Sequence, residues 1–391
     1  MWTFSSPRSI AFGEGALDEL QILQGQGSKA LIITDENVEK LFLEKLTGPL
    51  SDLGFEHRVF NEVEPDPSFE TCFKAARVAE EYKPDWIFAL GGGSVMDTAK
   101  AAFFIYEKPD EDFEGVVPFI NYGLRKKVKG LVSIPTTSGT GAEASPFMIV
   151  TDTSEHRKIT PTSREVICDL AIIDPVFTLE MPPMLTATTG LDALAHTVEA
   201  FICEWHNDFS DGLAIHALKM IFKYLPRAYK NGKSDKEARE KMHTAASIAG
   251  LALGSSLAAE AHAMGHSAGA TLGLPHGLCV GIFLPRFVEY TANRNPSRVA
   301  LLSRELCINT EDDKEAANEL VQRIESLMEE IGIPPRLKEF NVSEEILMDK
   351  MDRLVELAGI DNAMLASDNP PTPEQFKKLF LAGFHGTRVD F

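Results

Sequence analysis

The chain has 391 residues, 44% hydrophobic and 25% charged, a balance that excludes disorder and fibrous repeats and allows two or three domains burying about three-quarters of the surface. Lys+Arg 38 against Asp+Glu 58 leaves a net charge of −20, which argues against binding a nucleic-acid backbone or an anionic membrane surface. Five scattered cysteines without a C-x-x-C pair indicate reduced, mostly buried thiols in a cytoplasmic protein.

Along the first half, short β-branched or aromatic runs fall at Ala30–Thr34, Arg58–Val63, Trp86–Leu90, Gly130–Pro135, Phe147–Thr151 and Ala171–Asp174. Helical spacing separates the early ones, over Gly15–Leu23, Val38–Leu53, Phe69–Tyr82 and Val95–Tyr106. This alternation predicts parallel strands with right-handed helical crossovers. The character changes at Pro182-Pro183, and from Thr186 onward the pattern is almost wholly helical, punctuated at Pro226, Pro275, Pro285 and Pro296. The expectation is an α/β domain over residues 1–182 and an all-helical domain over 183–391. No signal sequence is read in the first eight residues, and no apolar run reaches the length of a transmembrane helix.

The strand Trp86–Leu90 runs into Gly91-Gly92-Gly93-Ser94 and then a helix. Glycines let a backbone approach an anion, and a helix N-terminus offers unpaired N–H groups and partial positive charge. A second turn, Pro135-Thr136-Thr137-Ser138-Gly139-Thr140-Gly141, follows another strand. Each turn alone also suits a ligand-free corner; two in one sheet favour a dinucleotide. Asp35, at the end of Ala30–Thr34, can accept from ribose hydroxyls and repel a 2′-phosphate, or cap the next helix.

In the second half, Asp192-Ala-Leu-Ala-His196 lies on a helix expected to begin near Thr189. Four residues at 100° each leave the two side chains on one face, able to share a metal. His262 and His266 repeat that spacing, and Pro275-His276-Gly277 follows. Histidines in so apolar a stretch are costly unless hydrogen-bonded or ligated, and a mixed imidazole–carboxylate set suits Fe2+ or Zn2+ rather than Ca2+ or Mg2+. Spacing leaves open which of His262, His266 and His276 is not a ligand. His57, His156, His206, His216, His243 and His385 lack such partners and read as surface or capping residues.

Taken in order, Gly91-Gly92-Gly93-Ser94-x-x-Asp97, Pro135-Thr136-Thr137-x-Gly139-Thr140, Gly190-x-Asp192-Ala193-x-x-His196, His262-x-x-x-His266 and Pro275-His276-Gly277 resemble the iron-containing (group III) alcohol dehydrogenases, from about Arg8 to Pro370. The resemblance implies a Rossmann-like nucleotide domain and a helical metal domain, as in the related dehydroquinate synthases. It implies Asp192, His196, His262 and His276 as metal ligands, with His266 unligated near the nicotinamide and substrate. Gly92, Gly93, Ser94 and Asp97 would contact phosphates and ribose, and Thr136, Thr137 and Thr140 the diphosphate and nicotinamide side. Asp35 would select NAD over NADP, and Lys158 would face the cofactor. Asp66 stands where the family has Asn, while Ser267 and Val280 depart on the presumed substrate side. The implied reaction is reversible oxidation of a small alcohol to its aldehyde or ketone by a cytoplasmic homo-oligomer carrying iron, with zinc able to use the same ligands. A dehydroquinate synthase-like lyase would need several cations for an anionic substrate, yet Thr186–Ala200 and Ser247–Gly281 contain no Lys or Arg. A glycerol dehydrogenase-like enzyme would use the same metal and nucleotide residues.

Overall fold

A computed structural model of the chain describes residues 3–155, 157–308 and 310–391. They form two compact units, Met1–Glu180 and Met181–Phe391. In the first, β1 (Ser9–Phe12), β2 (Lys29–Ile33), α1 (Glu36–Asp52), β3 (Glu56–Phe60), α2 (Phe69–Tyr82), β4 (Trp86–Gly91), α3 (Gly93–Glu107) and β5 (Gly130–Pro135) follow one another. After them come the short strands β6 (Val150–Asp152), β7 (Arg157–Ile159) and β8 (Leu170–Ile173).

Six strands form one parallel sheet in the order β1-β8-β5-β4-β2-β3. β4 and β5, at its centre, are buried at every position, which is why both read as continuous apolar runs rather than alternating ones. Two apolar layers cover the sheet. Ala99, Phe103 and Phe104 of α3 pack with Leu31, Ile87 and Leu131 on one face, and Phe42, Leu46 and Leu50 of α1 pack with Ile32, Phe88 and Val132 on the other.

Four expectations change here. The run Phe147–Thr151 contributes no strand to the parallel sheet: β6 pairs antiparallel with β7 in a separate ribbon. The sixth parallel strand is β1, whose four residues are too short to register as a periodic pattern. The expected helix Gly15–Leu23 is a 3-10 helix over Ala16–Leu23, entered through Gly15 in the left-handed region (φ 85°). The strand read as Arg58–Val63 ends at Phe60, with Val63 buried beyond it.

The second unit is helical: α4 (Pro183–Ile202), α5 (Asp208–Asn231), α6 (Lys236–Leu253), α7 (Glu260–Leu272), α8 (His276–Ala292), α9 (Pro296–Glu305), α10 (Asp313–Glu330), α11 (Glu344–Ile360) and α12 (Pro373–His385). α4 starts at Pro183, six residues before Thr189. Proline is favoured in the first helical turn, where its missing N–H costs nothing, so the Pro182-Pro183 break in pattern is the helix start itself. Pro226 and Pro285, read as punctuation, lie inside α5 and α8, where packing carries the helix past the missing N–H. No helix among the described residues is long and apolar enough to cross a membrane.

The small residues between Ser247 and Gly281 seat the helices against one another. A Cβ on Gly277 would lie 2.2 Å from Thr188 O, one on Gly281 would lie 2.7 Å from Leu191 Cδ1, and one on Gly265 would lie 2.5 Å from Val280 Cγ2. α8 therefore presses directly on α4 and α7, and these three helices carry the titratable side chains singled out above.

Candidate functional site

In the first unit both glycine-containing turns lie at the carboxyl ends of adjacent strands, joined by Gly91↔Pro135 pairing and by Thr136 N–H donating to Gly91 O at 2.9 Å. Glycine is required where they meet. A Cβ on Gly93 would lie 2.7 Å from Thr140 Cγ2, and one on Gly92 would lie 3.1 Å from Thr137 Cγ2. Gly92 caps α3 with no side-chain hydrogen bond, so the first N–H groups of that helix are not satisfied by a capping side chain. Uncapped N–H groups at a helix start are donors that can receive an anion.

Asp97, one turn into α3, is buried, with Oδ1 3.6 Å from Lys100 Nζ. Burial pushes its carboxyl up to about 6, against the pull of Lys100. Lys100 Nζ also donates to Phe147 O at 2.9 Å. Asp66 adopts φ 53°, a left-handed conformation that Asp tolerates as Asn does. Its N–H donates to Ser94 Oγ at 3.2 Å and its Oδ1 pairs with Lys158 Nζ at 2.5 Å. The structure thus gathers Ser94, Asp66 and Lys158. Asp35 caps α1 through Oδ1, which accepts from Asn37 and Val38 N–H at 2.9 and 3.0 Å.

In the second unit, Asp192 and His196 lie on one face of α4, both buried. α7 brings His262, and α8 starts with His276. Asp192 Oδ1 lies 3.6 Å from His196 Nε2, 3.6 Å from His262 Nε2 and 3.3 Å from His276 Nε2. Neither Asp192 Oδ1 nor His262 Nε2 has a hydrogen-bond partner, although both are buried. The spacing has a simple meaning. A tetrahedron with ligand bonds of about 2.0–2.2 Å has edges of roughly 3.3–3.6 Å. Asp192, His196 and His262 each offer a buried ligand atom within 4.8 Å of the others. The donor set of one carboxylate and imidazoles fits a divalent transition metal. Burial opposes charge on Asp192, but His196, His276 and His262 outweigh it and hold its carboxyl well below the ordinary range.

Glu199 was not singled out from the sequence. It is fully buried, Oε1 accepts from the N–H groups of Ala259 (3.1 Å) and His262 (3.0 Å), and Oε2 meets His262 Nδ1. This anchors both the start of α7 and the ring of His262. Burial alone would lower the affinity of His262 for a proton; Glu199 and Asp192 reverse that and push it up to about 10. The signal was present in the sequence: Asp192, His196 and Glu199 stand at i, i+4 and i+7, one helical stripe.

His266 stacks on His276 with centroids 5.1 Å apart but is not among the three rings closing on Asp192 Oδ1. Its Nδ1 lies 2.9 Å from Asp361 Oδ2, a partner 95 residues away with no local sequence signal. Ser267 and Val280, expected on the substrate side, are buried in packing: Ser267 Oγ donates to Leu354 O at 2.7 Å and Val280 closes on Gly265. His243, expected at the surface, is buried in α6, while His57 and His216 are exposed and His156 lies outside the described residues. Cys72, Cys168, Cys203 and Cys279 are buried free thiols and Cys307 is an exposed one.

Residues 7–175 match the family described as iron-containing alcohol dehydrogenase, and residues 186–384 match the C-terminal part of the Fe-containing alcohol dehydrogenase family. The chain is 36% identical to the NADPH-dependent butanol dehydrogenase of Clostridium saccharobutylicum, over the whole of both proteins. It is 34% identical to the bifunctional aldehyde-alcohol dehydrogenase AdhE of Escherichia coli K12, covering 97% of this chain but 46%, about half, of that protein. The solved alcohol dehydrogenase from Oenococcus oeni superposes with a TM-score of 0.91 at 29% identity, covering 98% of this chain and all of the other.

Proposed function

The chain belongs to the iron-containing alcohol dehydrogenase family, and from that premise we propose that it oxidises a small uncharged alcohol reversibly to its aldehyde or ketone, using NAD and Fe2+. The observation that carries the reading is the buried Asp192 oxygen enclosed by three imidazole nitrogens at 3.3–3.6 Å. Asp192, His196, His262 and His276 would hold the cation, with Zn2+ able to use the same ligands. The nucleotide is assigned to residues 1–182 and the metal to residues 183–391.

When bound, the cation supplies Lewis acidity to the alcohol oxygen and the nicotinamide supplies the hydride acceptor. The chain's residues do the rest. The open N–H groups of α3, behind Gly92, Gly93 and Ser94, receive the diphosphate, with Thr136, Thr137 and Thr140 lining the neighbouring turn. Asp97, with Lys100 beside it, and the Asp66–Lys158 pair serve the ribose and phosphate side. Asp35 still has Oδ2 to offer a ribose hydroxyl while Oδ1 caps α1, and its charge repels a 2′-phosphate; this supports NAD even though a relative is named for NADPH. His266, with its buried Nε2, takes the proton released by the alcohol. The absence of Lys and Arg from Thr186–Ala200 and Ser247–Gly281 supports an uncharged substrate. The reading keeps the enzyme cytoplasmic and homo-oligomeric.

The test is a panel of short alcohols, diols and aldehydes assayed anaerobically at 340 nm, with NAD and NADP in parallel and with Fe2+ or Zn2+. Net NADH formation from a short alcohol is expected. His262→Ala should lose both bound metal and turnover; retention of both would overturn the ligand assignment.

A further inference from the structure

His266 is held differently from the three rings around Asp192 Oδ1. Its side chain is nearly enclosed, its Nε2 is buried without a hydrogen-bond partner, and its Nδ1 faces Asp361 Oδ2 at 2.9 Å. Asp361 lies just past the end of α11 and caps the 3-10 turn Asn362–Ala366, with Oδ1 accepting from Ala363 N–H at 2.8 Å. Both carboxylate oxygens are therefore engaged, one on the backbone and one on the ring, and the carboxylate cannot rotate away from either. An ionised carboxylate only accepts hydrogen bonds. The ring nitrogen it faces must donate, so a neutral His266 carries its proton on Nδ1 and its lone pair on Nε2.

We propose that Asp361 is a positioning residue that locks His266 in the Nδ1–H tautomer, leaving Nε2 as the acceptor for the alcohol proton. The proposal rests on the dehydrogenase reading above. In the step it serves, the alcohol O–H bond breaks and its proton passes to Nε2. The electron pair left on oxygen closes the carbonyl as the carbon's hydrogen departs with its electrons to the nicotinamide, which is reduced. Asp361 gains no proton. It stabilises the ring while His266 is charged, and orients it before and after.

An isosteric change separates this role from a purely structural one. In Asp361→Asn the amide oxygen can still accept from Ala363, but its NH2 now faces Nδ1 and drives the ring to the Nε2–H tautomer. Asp361→Ala removes the cap yet leaves the ring free to choose. The prediction therefore inverts the usual ranking: Asn is worse than Ala. We expect Asp361→Asn to lower kcat about 10²-fold with KM for the alcohol within about twofold, and Asp361→Ala to lose less. Metal content should be unchanged in both.

A second readout needs no turnover. In the Zn2+-loaded full chain labelled with 15N-histidine, long-range 1H–15N correlations report which nitrogen of neutral His266 is protonated, with His266→Gln giving the assignment. The wild type should show Nδ1–H and Asp361→Asn should show Nε2–H. An Nε2–H tautomer in the wild type would overturn the proposal even if neither variant folded. So would a raised KM with unchanged kcat, or a milder defect in Asn than in Ala. A chain that oxidises no alcohol with either nucleotide sinks the dehydrogenase reading instead, and the tautomer measurement still decides this one.

Discussion

Gly277 offers a measurement of how tightly the candidate metal ligands are placed. It follows His276 in α8, and a Cβ there would lie 2.2 Å from Thr188 O and 3.2 Å from Asp192 Cβ. Thr188 O is backbone of α4 and cannot swing aside. Restoring an ordinary contact requires the two helices to separate by about 1 Å, an overpacking that costs about 1–3 kcal/mol. For a unit of this size that is a fall in Tm of roughly 3–10 °C. The same displacement carries His276 away from Asp192, now 3.3 Å from its Nε2, and a 1 Å error in a reacting group costs about 10²-fold in rate. Gly277→Ala should therefore lower bound metal, Tm and kcat together. Gly212 in α5 is the control, because nothing lies within 4 Å of its added Cβ. Gly212→Ala should raise stability by about 0.4–1 kcal/mol and leave metal content alone. Full metal occupancy with an unchanged Tm in Gly277→Ala, read by elemental analysis and calorimetry, would refute the argument that contact between α4 and α8 sets the ligand geometry.

Glu199→Gln leaves His262 in place but replaces the carboxylate on its Nδ1, so metal affinity should fall about 10–100-fold in competition with a chelator, with little change in helix content. Asp35→Ser keeps a cap on α1 while removing the charge, and the ratio of kcat/KM for NAD over NADP should fall at least about tenfold, equivalent to about 1.4 kcal/mol. At Glu64, burial opposes the charge, but the Ser68 N–H and the Thr71 and Ser68 hydroxyls outweigh it and lower its pKa from the ordinary 4.5. Such a group stabilises the fold above its unfolded value and loses that contribution as pH falls through the lower folded value. The Tm gap between wild type and Glu64→Gln should thus be widest at neutral pH and close below 4.5; a gap constant through acid pH would contradict this.

Much of this was legible because it is local. The glycines after β4 and the i, i+4 pair Asp192/His196 each state their geometry within a turn of chain, and helical periodicity marked α1, α2 and α3 to within a few residues. What escaped depends on distant packing. Phe147–Thr151 has strand composition, yet which partner it finds is decided by β7, so it left the parallel sheet. β1 is four residues that pair with β8, more than 150 positions on. Asp361 acquires its meaning from a ring 95 residues away. Glu199 was readable as the next step of the Asp192/His196 stripe.

The candidate metal ligands come from three helices, α4, α7 and α8, so a cation would act as a clasp across the helical core. Any occupant that binds only the folded form adds RT ln(1 + [M]/Kd), about 2.7 kcal/mol at a hundredfold excess over Kd. Endurance in storage then becomes a property of the buffer as much as of the polypeptide. A citrate wash or a trace of EDTA would age this protein, and two preparations of one sequence could differ in shelf life only through the ions each has met.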